Sequence, residues 1–271
     1  TTQVSSLRAT QIAALSTTNV AALTTTQVGV LSTAQLVGMN SAQIGALTSD
    51  QVGALNTTQI GALSAEDLSA MSTDDLATFD SSDIAAINAK SISGLSTTTV
   101  AALSSTQIGA LTTAQIAGLN ATQIGVLSTD QVEGLSTAQV AALSASQVSS
   151  LSTTNVASLS TDQVVALSTA AISALTSAQI DAMDSDQIEA LTSNQVAALT
   201  SASIAAMSST DIVTFTTDEI AAISVKAISG LAAEDILGLE TDQLQALTTS
   251  QVQALTAQDQ IDAIILAYQN L

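Results

Sequence analysis

The sequence contains no cysteine, histidine, tryptophan or proline, and only three aromatic residues. Without Cys or His the chain cannot build a thiolate site, a zinc finger or a His general base. The lack of cysteine leaves the redox compartment open, since it fits neither a disulfide scaffold nor thiol chemistry. No apolar run approaches the ~18 residues that a membrane span needs. Nothing supplies an activated nucleophile or a tuned base, so we predict no enzyme activity and no cofactor.

Positive charge is almost absent as well. Three cations, Arg8, Lys90 and Lys226, stand against 23 acids, and the net charge is −20. Such a chain repels a phosphate backbone, and we expect no nucleic-acid partner. Most of the acids fall at the third and fourth positions of a repeat, which become the first turn of a helix in the interpretation below. The helix dipole favours acids there, so their placement needs no binding function.

What the sequence does contain is one octad, repeated 31 times in a single frame from Arg8 to Leu255 after a truncated copy, TTQVSSL, at 1–7. The copy at 136–143, STAQVAAL, is typical. Position 8 is always a large apolar residue, and position 5 is Val, Ile or Leu. Position 1 is Ser, Thr, Asn or Asp except at Arg8, Ala232 and Glu240, and position 4 is mostly Gln. The frame begins within a copy, as expected for a processed product or a fragment.

Each octad carries the signals of a helix start. A Ser, Thr, Asn or Asp followed three residues later by Gln, Glu or Asp has the spacing of a capping box. The apolar residues at position 8 and at position 5 of the next copy form a hydrophobic staple around that cap. One continuous helix is excluded, because eight residues at about 100° each leave a drift of about 80° per repeat. The pattern therefore predicts an all-α solenoid, or superhelix, of short capped helices, one per octad.

A β-solenoid is the alternative fold. Eight is an even number, Val, Ile and Thr favour strands, and three octads could form one coil. Against this, strand alternation would place positions 5 and 8 on opposite faces, and Ala, Leu and Gln favour helix. All twelve glycines also lie at position 6 or 7, away from the expected corners.

A longer period overlies the octads. The stretch 67–95 recurs at 203–231, so that Met71, Phe79, Ile87 and Lys90 have counterparts 17 octads later. We predict an octad-repeat solenoid over 1–255 made of two 17-octad units, 1–136 and 137–271. After Leu255 the frame breaks, and apolar residues at helical spacing predict a C-terminal capping helix at 256–271.

Four acids in the marked stretch are weak candidates for a metal site: Asp74, Asp75, Asp80 and Asp83. A Ca²⁺ site needs several oxygens that converge on one point. Their spacing matches no EF-hand loop, and Asp80 becomes Thr216 in the second copy. We interpret the four as solvated helix starts, and Ca²⁺ as a partner that the sequence does not support.

The octads resemble the long STxQIxAL tracts of very large secreted or surface proteins of bacteria. The resemblance covers 1–255 and implies use as an extracellular or cell-surface scaffold, without identifying a functional residue. The leading hypothesis for function is accordingly a structural module: a stalk, a spacer, or the subunit of a self-assembling filament or tube. The alternative is an ice-binding or other surface-binding array that uses Ser and Thr ladders at positions 1 and 2.

Self-association is the partner that we expect. The recurrence of Lys90 and Lys226 in an acidic chain makes them candidates for contacts with acids of another copy, and a contact that does not close generates a filament. Phe79 and Phe215 recur with them and are further candidates, although both occupy the Leu position and core filling is the simpler interpretation. Duplication of the 17-octad unit would also explain the recurrence.

Overall fold

The computed structural model describes residues 2–269. Over that range it contains 31 α-helices, two short 3-10 helices and no strand. The all-α prediction is therefore confirmed, and the β-solenoid is not supported. Residues 1, 270 and 271, at the ends of the predicted ranges 1–136, 137–271 and 256–271, lie outside the described residues. The chain divides into two compact units, which meet in sequence between Ala142 and Leu143.

Almost every octad contributes one helix of four to six residues. In the first unit, α1 to α17 are Thr2–Ser5, Ala9–Ala13, Thr17–Ala21, Thr25–Gly29, Thr33–Val37, Ser41–Ile44, Ser49–Val52, Thr57–Ile60, Ala65–Ala70, Thr73–Ala77, Ser81–Ala86, Thr97–Ala102, Ser105–Ala110, Thr113–Gly118, Ala121–Gly125, Thr129–Glu133 and Thr137–Ala141. In the second unit, α18 to α31 are Ala145–Ser150, Thr153–Ala157, Thr161–Ala166, Thr169–Ala174, Ser177–Asp181, Ser185–Glu189, Ser193–Ala197, Ser201–Ile204, Ser209–Ile212, Thr217–Ala222, Ala233–Gly238, Thr241–Ala246, Thr249–Ala254 and Gln258–Gln269.

The caps set these boundaries. Ser136 has extended backbone angles, its Oγ accepts a hydrogen bond from the Gln139 N–H at 3.3 Å, and its own N–H donates to Gln139 Oε1 at 2.7 Å. The extended residue interrupts the helix once per octad, while the two bonds satisfy N–H groups that a helix start leaves unpaired. At Arg8, Ala232 and Glu240 the position-1 side chain makes no cap bond, but position 4 still accepts from the position-1 N–H.

Two octads depart from the prediction that every copy begins an α-helix. Residues 88–95 and 224–231 form a turn followed by the 3-10 helices Ile92–Gly94 and Ile228–Gly230. In the first of them, Asn88 Oδ1 accepts from the Lys90 N–H, two residues on. That geometry is an Asx turn, which competes with helix formation. Position 4 is Ser91 here and Ala227 in the second copy, but Ser203 and Ala171 at the same position still belong to α-helices, so the turn does not follow from position 4 alone.

The core of each unit is built from positions 5 and 8. The Val or Ile at position 5 is almost completely buried, as in Val100 and Ile116 (both 0 % exposed), and the position-8 residue is buried almost as fully. Within a unit, helices three octads apart pack together, for example α2 with α5 and α18 with α21. Since hydrogen bonds also link octads four apart, one superhelical turn takes between three and four octads.

The last helix, α31, packs on α28. Tyr268 Oη donates to the carbonyl oxygen of Leu244 at 2.8 Å, and Gln260 Nε2 donates to that of Leu231 at 2.7 Å. Ala263, Ile264 and Ala267 are buried. At twelve residues α31 is about twice as long as the octad helices, and its buried face covers the preceding repeats in the second unit.

Candidate functional site: a glutamine ladder between superhelical turns

The position-4 glutamine joins successive turns of the solenoid. Gln115 is 1 % exposed. Its Oε1 accepts from the Thr112 N–H at 2.7 Å, which completes the capping box of its own octad. Its Nε2 donates to the carbonyl oxygens of Ile84 at 2.8 Å and Ile87 at 2.6 Å, four octads earlier. One amide thus satisfies a helix start in one turn and a helix end in the turn before.

The same arrangement recurs along both units, always with a donor bond to the position-8 carbonyl of the octad four copies earlier. We call this set the Gln ladder. Its members are Gln35, Gln43, Gln51, Gln59, Gln107, Gln115, Gln123, Gln131 and Gln139 in the first unit and Gln179, Gln187, Gln195, Gln243 and Gln251 in the second.

The Gln ladder pairs carbonyl groups that a short helix leaves without a hydrogen-bond partner. The last four carbonyls of an α-helix have no partner within it, and in a helix as short as these they are most of the carbonyls. A net hydrogen bond contributes ~0.5–1.5 kcal/mol, and a buried carbonyl without one costs ~1–3 kcal/mol. The Gln amide therefore contributes to stability chiefly because the carbonyls it meets are buried.

Sequence reasoning assigned this glutamine to the capping box alone. The acceptor atoms lie four octads away, so no local pattern indicates them. One signal was present nonetheless. A capping box accepts Glu as readily as Gln, yet this strongly acidic chain has Gln at position 4 in most octads and Glu only at Glu219. That preference indicates a need for the amide donor.

The ladder stops over five consecutive octads in each 17-octad copy. We call residues 64–103 and 200–239 the Gln-free segments, since neither contains a glutamine. Their position-4 residues are Asp67, Asp75, Asp83, Ser91 and Thr99 in the first and Ser203, Asp211, Glu219, Ala227 and Asp235 in the second. Elsewhere position 4 lacks Gln only at single octads: Asn19, Asn155 and Ala171. The two non-helical octads lie inside the Gln-free segments.

Within these segments the position-4 carboxylates accept hydrogen bonds and donate none. Asp75 accepts from the N–H and the Oγ of Ser72, and also from Ser49 Oγ at 2.8 Å. The last of these bonds crosses between turns. Its counterpart in the second segment joins Ser185 Oγ to Asp211 at 2.8 Å. A hydroxyl donor from the earlier turn thus takes the place of the amide, at one octad of each segment.

The four acids considered as a metal site all lie in or near helix starts, and three of them act as caps. Asp74 is exposed and Asp75 is buried. Asp80 accepts from Ser82 Oγ and from the N–H groups of Ser82 and Asp83, and these bonds hold the pKa of Asp80 below its ordinary value. Burial raises the pKa of Asp83, whose Oδ2 caps the Asp80 N–H. Over residues 2–269, no three such groups are arranged to hold a metal ion.

The candidates for self-association fall into two kinds. Lys90 and Lys226 are exposed and lie in the two non-helical octads. Phe79 and Phe215 are only 3 % and 2 % exposed, so their rings lie in the core and cannot reach a second chain while the solenoid is closed. Their backbone carbonyls belong to the Gln ladder, as acceptors for Gln107 and Gln243.

Two open grooves in the described structure lie near related positions of the two copies. One, of about 500 Å³, is lined by Ser41, Ala65, Glu66, Ser69, Ser93 and Gly94 among others. The other, of about 470 Å³, includes Ser177 and Ala205, which lie 17 octads after Ser41 and Ser69. Each groove has one acid, and its other lining residues are small apart from Met207 in the second groove, where the Ser208 hydroxyl is engaged as a helix cap. Across residues 2–269, no helix is both long and apolar enough to cross a membrane.

Comparison with known families gives one match. The model of the ALTTAQ repeat family matches residues 25–57, 76–113, 109–137, 132–161 and 156–193, which together cover more than half of the sequence. A search of curated proteins found no significant match. The five matches confirm the octad-repeat resemblance; they carry no information on a large secreted protein around the tract.

Proposed function

Because this chain belongs to the ALTTAQ repeat family, we propose that it is a non-catalytic structural repeat module whose geometry is its function. It would serve as an extracellular scaffold or stalk, or as the subunit of a self-assembling filament or tube. The observation that carries this proposal is the Gln ladder. Outside the Gln-free segments, each turn within a unit is joined to the turn before it by the same buried amide bonds, so the array can add octads without any new type of contact.

Charge and composition support an assembly role over catalysis. The buried groups of the described octads are committed to caps, to the core and to the ladder, and the position-4 acids, such as Asp67 and Asp235, accept hydrogen bonds from their own helix starts. The net charge of −20 keeps an array rich in Ala and Val in solution. The placement outside the cell is part of the proposal and rests on the resemblance to octad tracts of bacterial surface proteins.

Lys90 and Lys226 are the contacts that we assign to the register between chains. Both are exposed cations in acidic surroundings, and they repeat at the 17-octad period. Exposed ion pairs contribute only ~0–1 kcal/mol each. They would align neighbouring chains, while apolar or backbone contacts supply most of the affinity. Phe79 and Phe215 stay in the core in this proposal.

The test is the assembly state of the purified chain. Sedimentation velocity and negative-stain electron microscopy over a wide range of protein concentration should show particles that grow into filaments or tubes. The double substitution Lys90→Glu and Lys226→Glu should weaken or misalign that growth and leave the circular dichroism unchanged. The control is Arg8→Glu, which reverses one positive charge outside the Gln-free segments; Lys90→Glu alone is its match in charge, since the double variant reverses two. Parent protein that stays monomeric at every concentration would refute self-assembly, and equal effects of control and double variant would refute the register contact.

A further inference from the structure

Each Gln-free segment makes fewer side-chain hydrogen bonds to the preceding turn than the other octads do, although its own carbonyls still accept from glutamines of the following turn, as Ile87 does from Gln115. Opposite Asp75, four octads earlier, stand the carbonyls of Ile44 and Leu47, at the same octad positions as the carbonyls that accept from Gln115. An ionised carboxylate has no proton to donate, and the Asp side chain is one methylene shorter than Gln. The same deficit repeats over five consecutive octads in each segment.

The negative charge of the Gln-free segments also destabilises their closed state. Of the 23 acids, 11 lie in these two segments, although the segments together comprise only ten of the 31 octads. Lys90 and Lys226 are the only cations there, one in each segment. Burial raises the pKa of Asp83 in the first segment and of Asp235 in the second, so at neutral pH each carries its charge at a cost to the closed state.

The backbone of the segments is also different. Each contains one of the two octads that form a turn and a 3-10 helix in place of an α-helix. There the chain closes on the preceding turn by direct backbone contact. A Cβ added at Gly94 would lie 2.1 Å from the Ala65 carbonyl oxygen, and one added at Gly230 would lie 2.2 Å from that of Ser201. Such a contact needs close approach and contributes no side-chain hydrogen bond.

From these three observations we propose that the two Gln-free segments are joints, at which the solenoid opens before any other part of a unit does. At rest each joint is closed toward the preceding turn by core packing, by the glycine contact and by one hydroxyl–carboxylate bond, from Ser49 to Asp75 or from Ser185 to Asp211. In the second joint, Ser177 Oγ also donates to the Ala202 carbonyl oxygen at 3.2 Å. Under thermal or mechanical load a joint opens while the Gln-laddered octads stay closed. The recurrence after 17 octads places one joint in each copy. This property belongs to the single chain and does not depend on self-assembly.

Hydrogen exchange of the full chain, measured by mass spectrometry at a concentration where it is monomeric, tests the proposal. Amides in the octads of 64–103 and 200–239 should exchange about tenfold or more faster than those at the same octad positions in 104–139 and 176–199, as expected where a few hydrogen bonds per octad are missing. Uniform exchange along each unit would overturn the proposal.

A repair experiment identifies the cause. The triple variant Asp67→Gln, Asp75→Gln and Asp83→Gln should slow exchange across the first segment by about tenfold, as restored hydrogen bonds would, and leave the second segment unchanged as an internal control. The matched triple variant Asp67→Ser, Asp75→Ser and Asp83→Ser removes the same charges and keeps a cap oxygen, as Ser203 does naturally, but it supplies no amide. Equal slowing by Ser and Gln would overturn the assignment to the ladder.

The converse variant keeps the inference testable if the repaired chain folds poorly. Gln115→Ser, Gln123→Ser and Gln131→Ser together retain a cap oxygen, as Ser203 does naturally, and remove the amides that bond to the earlier turn. This chain should gain a new fast-exchanging zone over the octads of 112–135. If exchange there stays as slow as in the parent, the Gln ladder does not control opening and the proposal is wrong.

Discussion

The substitution Gln115→Glu separates the two roles of the ladder glutamine in one nearly isosteric change. The Glu side chain has the length of Gln and retains an oxygen that can accept from the Thr112 N–H. It loses the amide that donates to Ile84 and Ile87. The cap is therefore preserved while the connection between turns is removed.

The expected cost follows from the burial of the site. Gln115 is 1 % exposed, and two buried carbonyl oxygens lose their amide partner. Each lost bond is worth ~0.5–1.5 kcal/mol and a buried acceptor left without a partner costs ~1–3 kcal/mol. The Ile84 carbonyl still accepts from the Ile87 N–H. We therefore expect the free energy of local unfolding to fall by about 2–4 kcal/mol at neutral pH, because a buried unpaired carboxylate adds to the cost of the lost bonds. The control Gln27→Glu should cost less than ~0.5 kcal/mol, because Gln27 bonds only within its own octad.

The loss should depend on pH in a definite direction. The introduced carboxyl faces carbonyl oxygens, so its pKa in the folded chain is raised above that in the unfolded chain. Its destabilising effect is then absent at pH values below the unfolded pKa and grows as the pH rises through the folded one. When protonated, the carboxyl can also donate to one of the two carbonyls. The variant should therefore recover much of its stability in acid relative to the parent.

Local hydrogen exchange is the suitable assay, because long repeat arrays need not unfold in two states. Protection should fall in the octads of 80–87 and 112–119 by the factor that corresponds to the local loss, and remain unchanged in the second unit. Urea unfolding followed by circular dichroism supplies the global comparison with Gln27→Glu. Equal effects at Gln115 and Gln27 would refute the reasoning, since only Gln115 is buried and bonded to the earlier turn.

Three further predictions concern the caps, the close contacts and the buried acids. Ser136→Ala should cost ~0.5–2 kcal/mol and Thr137→Ala under ~0.5 kcal/mol in thermal or urea unfolding; equal costs would mean that the caps are misassigned. Gly94→Ala should reduce the free energy of unfolding by ~1–3 kcal/mol through overpacking. In Gly238→Ala the added Cβ meets its nearest neighbour at an ordinary 3.5 Å, so this variant should be neutral or more stable by up to ~1 kcal/mol. The reverse order of stability would contradict the packing. Burial raises the pKa of Asp235, so its charge costs stability above the unfolded pKa; Asp235→Asn should stabilise at neutral pH, and a gain that persists below the ordinary pKa of Asp would contradict this cause.

The sequence predicts the parts of this fold that are local. A cap, its partner three residues later and the staple around it all lie within one octad and its neighbour, and their repetition in one frame predicts a short helix per octad. The same reasoning failed at residues 88–95 and 224–231. In the first of these octads the Asn88 side chain satisfies a different N–H, that of Lys90, and the octad signals do not reveal this alternative.

The hydrogen bonds between successive turns could not be predicted from such local patterns. Gln115 meets Ile84 and Ile87 only because one superhelical turn takes between three and four octads, and that number depends on packing rather than on any pattern within a repeat. The chemistry of position 4 nevertheless contained a clue, since a cap alone does not distinguish Gln from Glu. Similarly, the sequence shows that Phe79 and Lys90 repeat as Phe215 and Lys226. It does not show that hydrogen bonds between turns are missing around them, because the acceptor carbonyls are known only from the structure.

Disulfide mapping tests the central claim, the spacing of turns, most directly, since the chain has no cysteine of its own. A Cβ at Gly38 would lie 3.2 Å from the Ala9 Cβ, close to the ~3.5–4.5 Å of a disulfide. Ala9→Cys is combined in three separate double variants with Val30→Cys, Gly38→Cys or Ala46→Cys. All three partners occupy position 7 of their octads: Gly38 is the residue that faces Ala9, Val30 lies one octad earlier and Ala46 one octad later. Under mild oxidation the pair with Gly38→Cys should cross-link rapidly and the other two slowly or not at all. Faster cross-linking of Val30→Cys or Ala46→Cys would contradict the arrangement of turns described above.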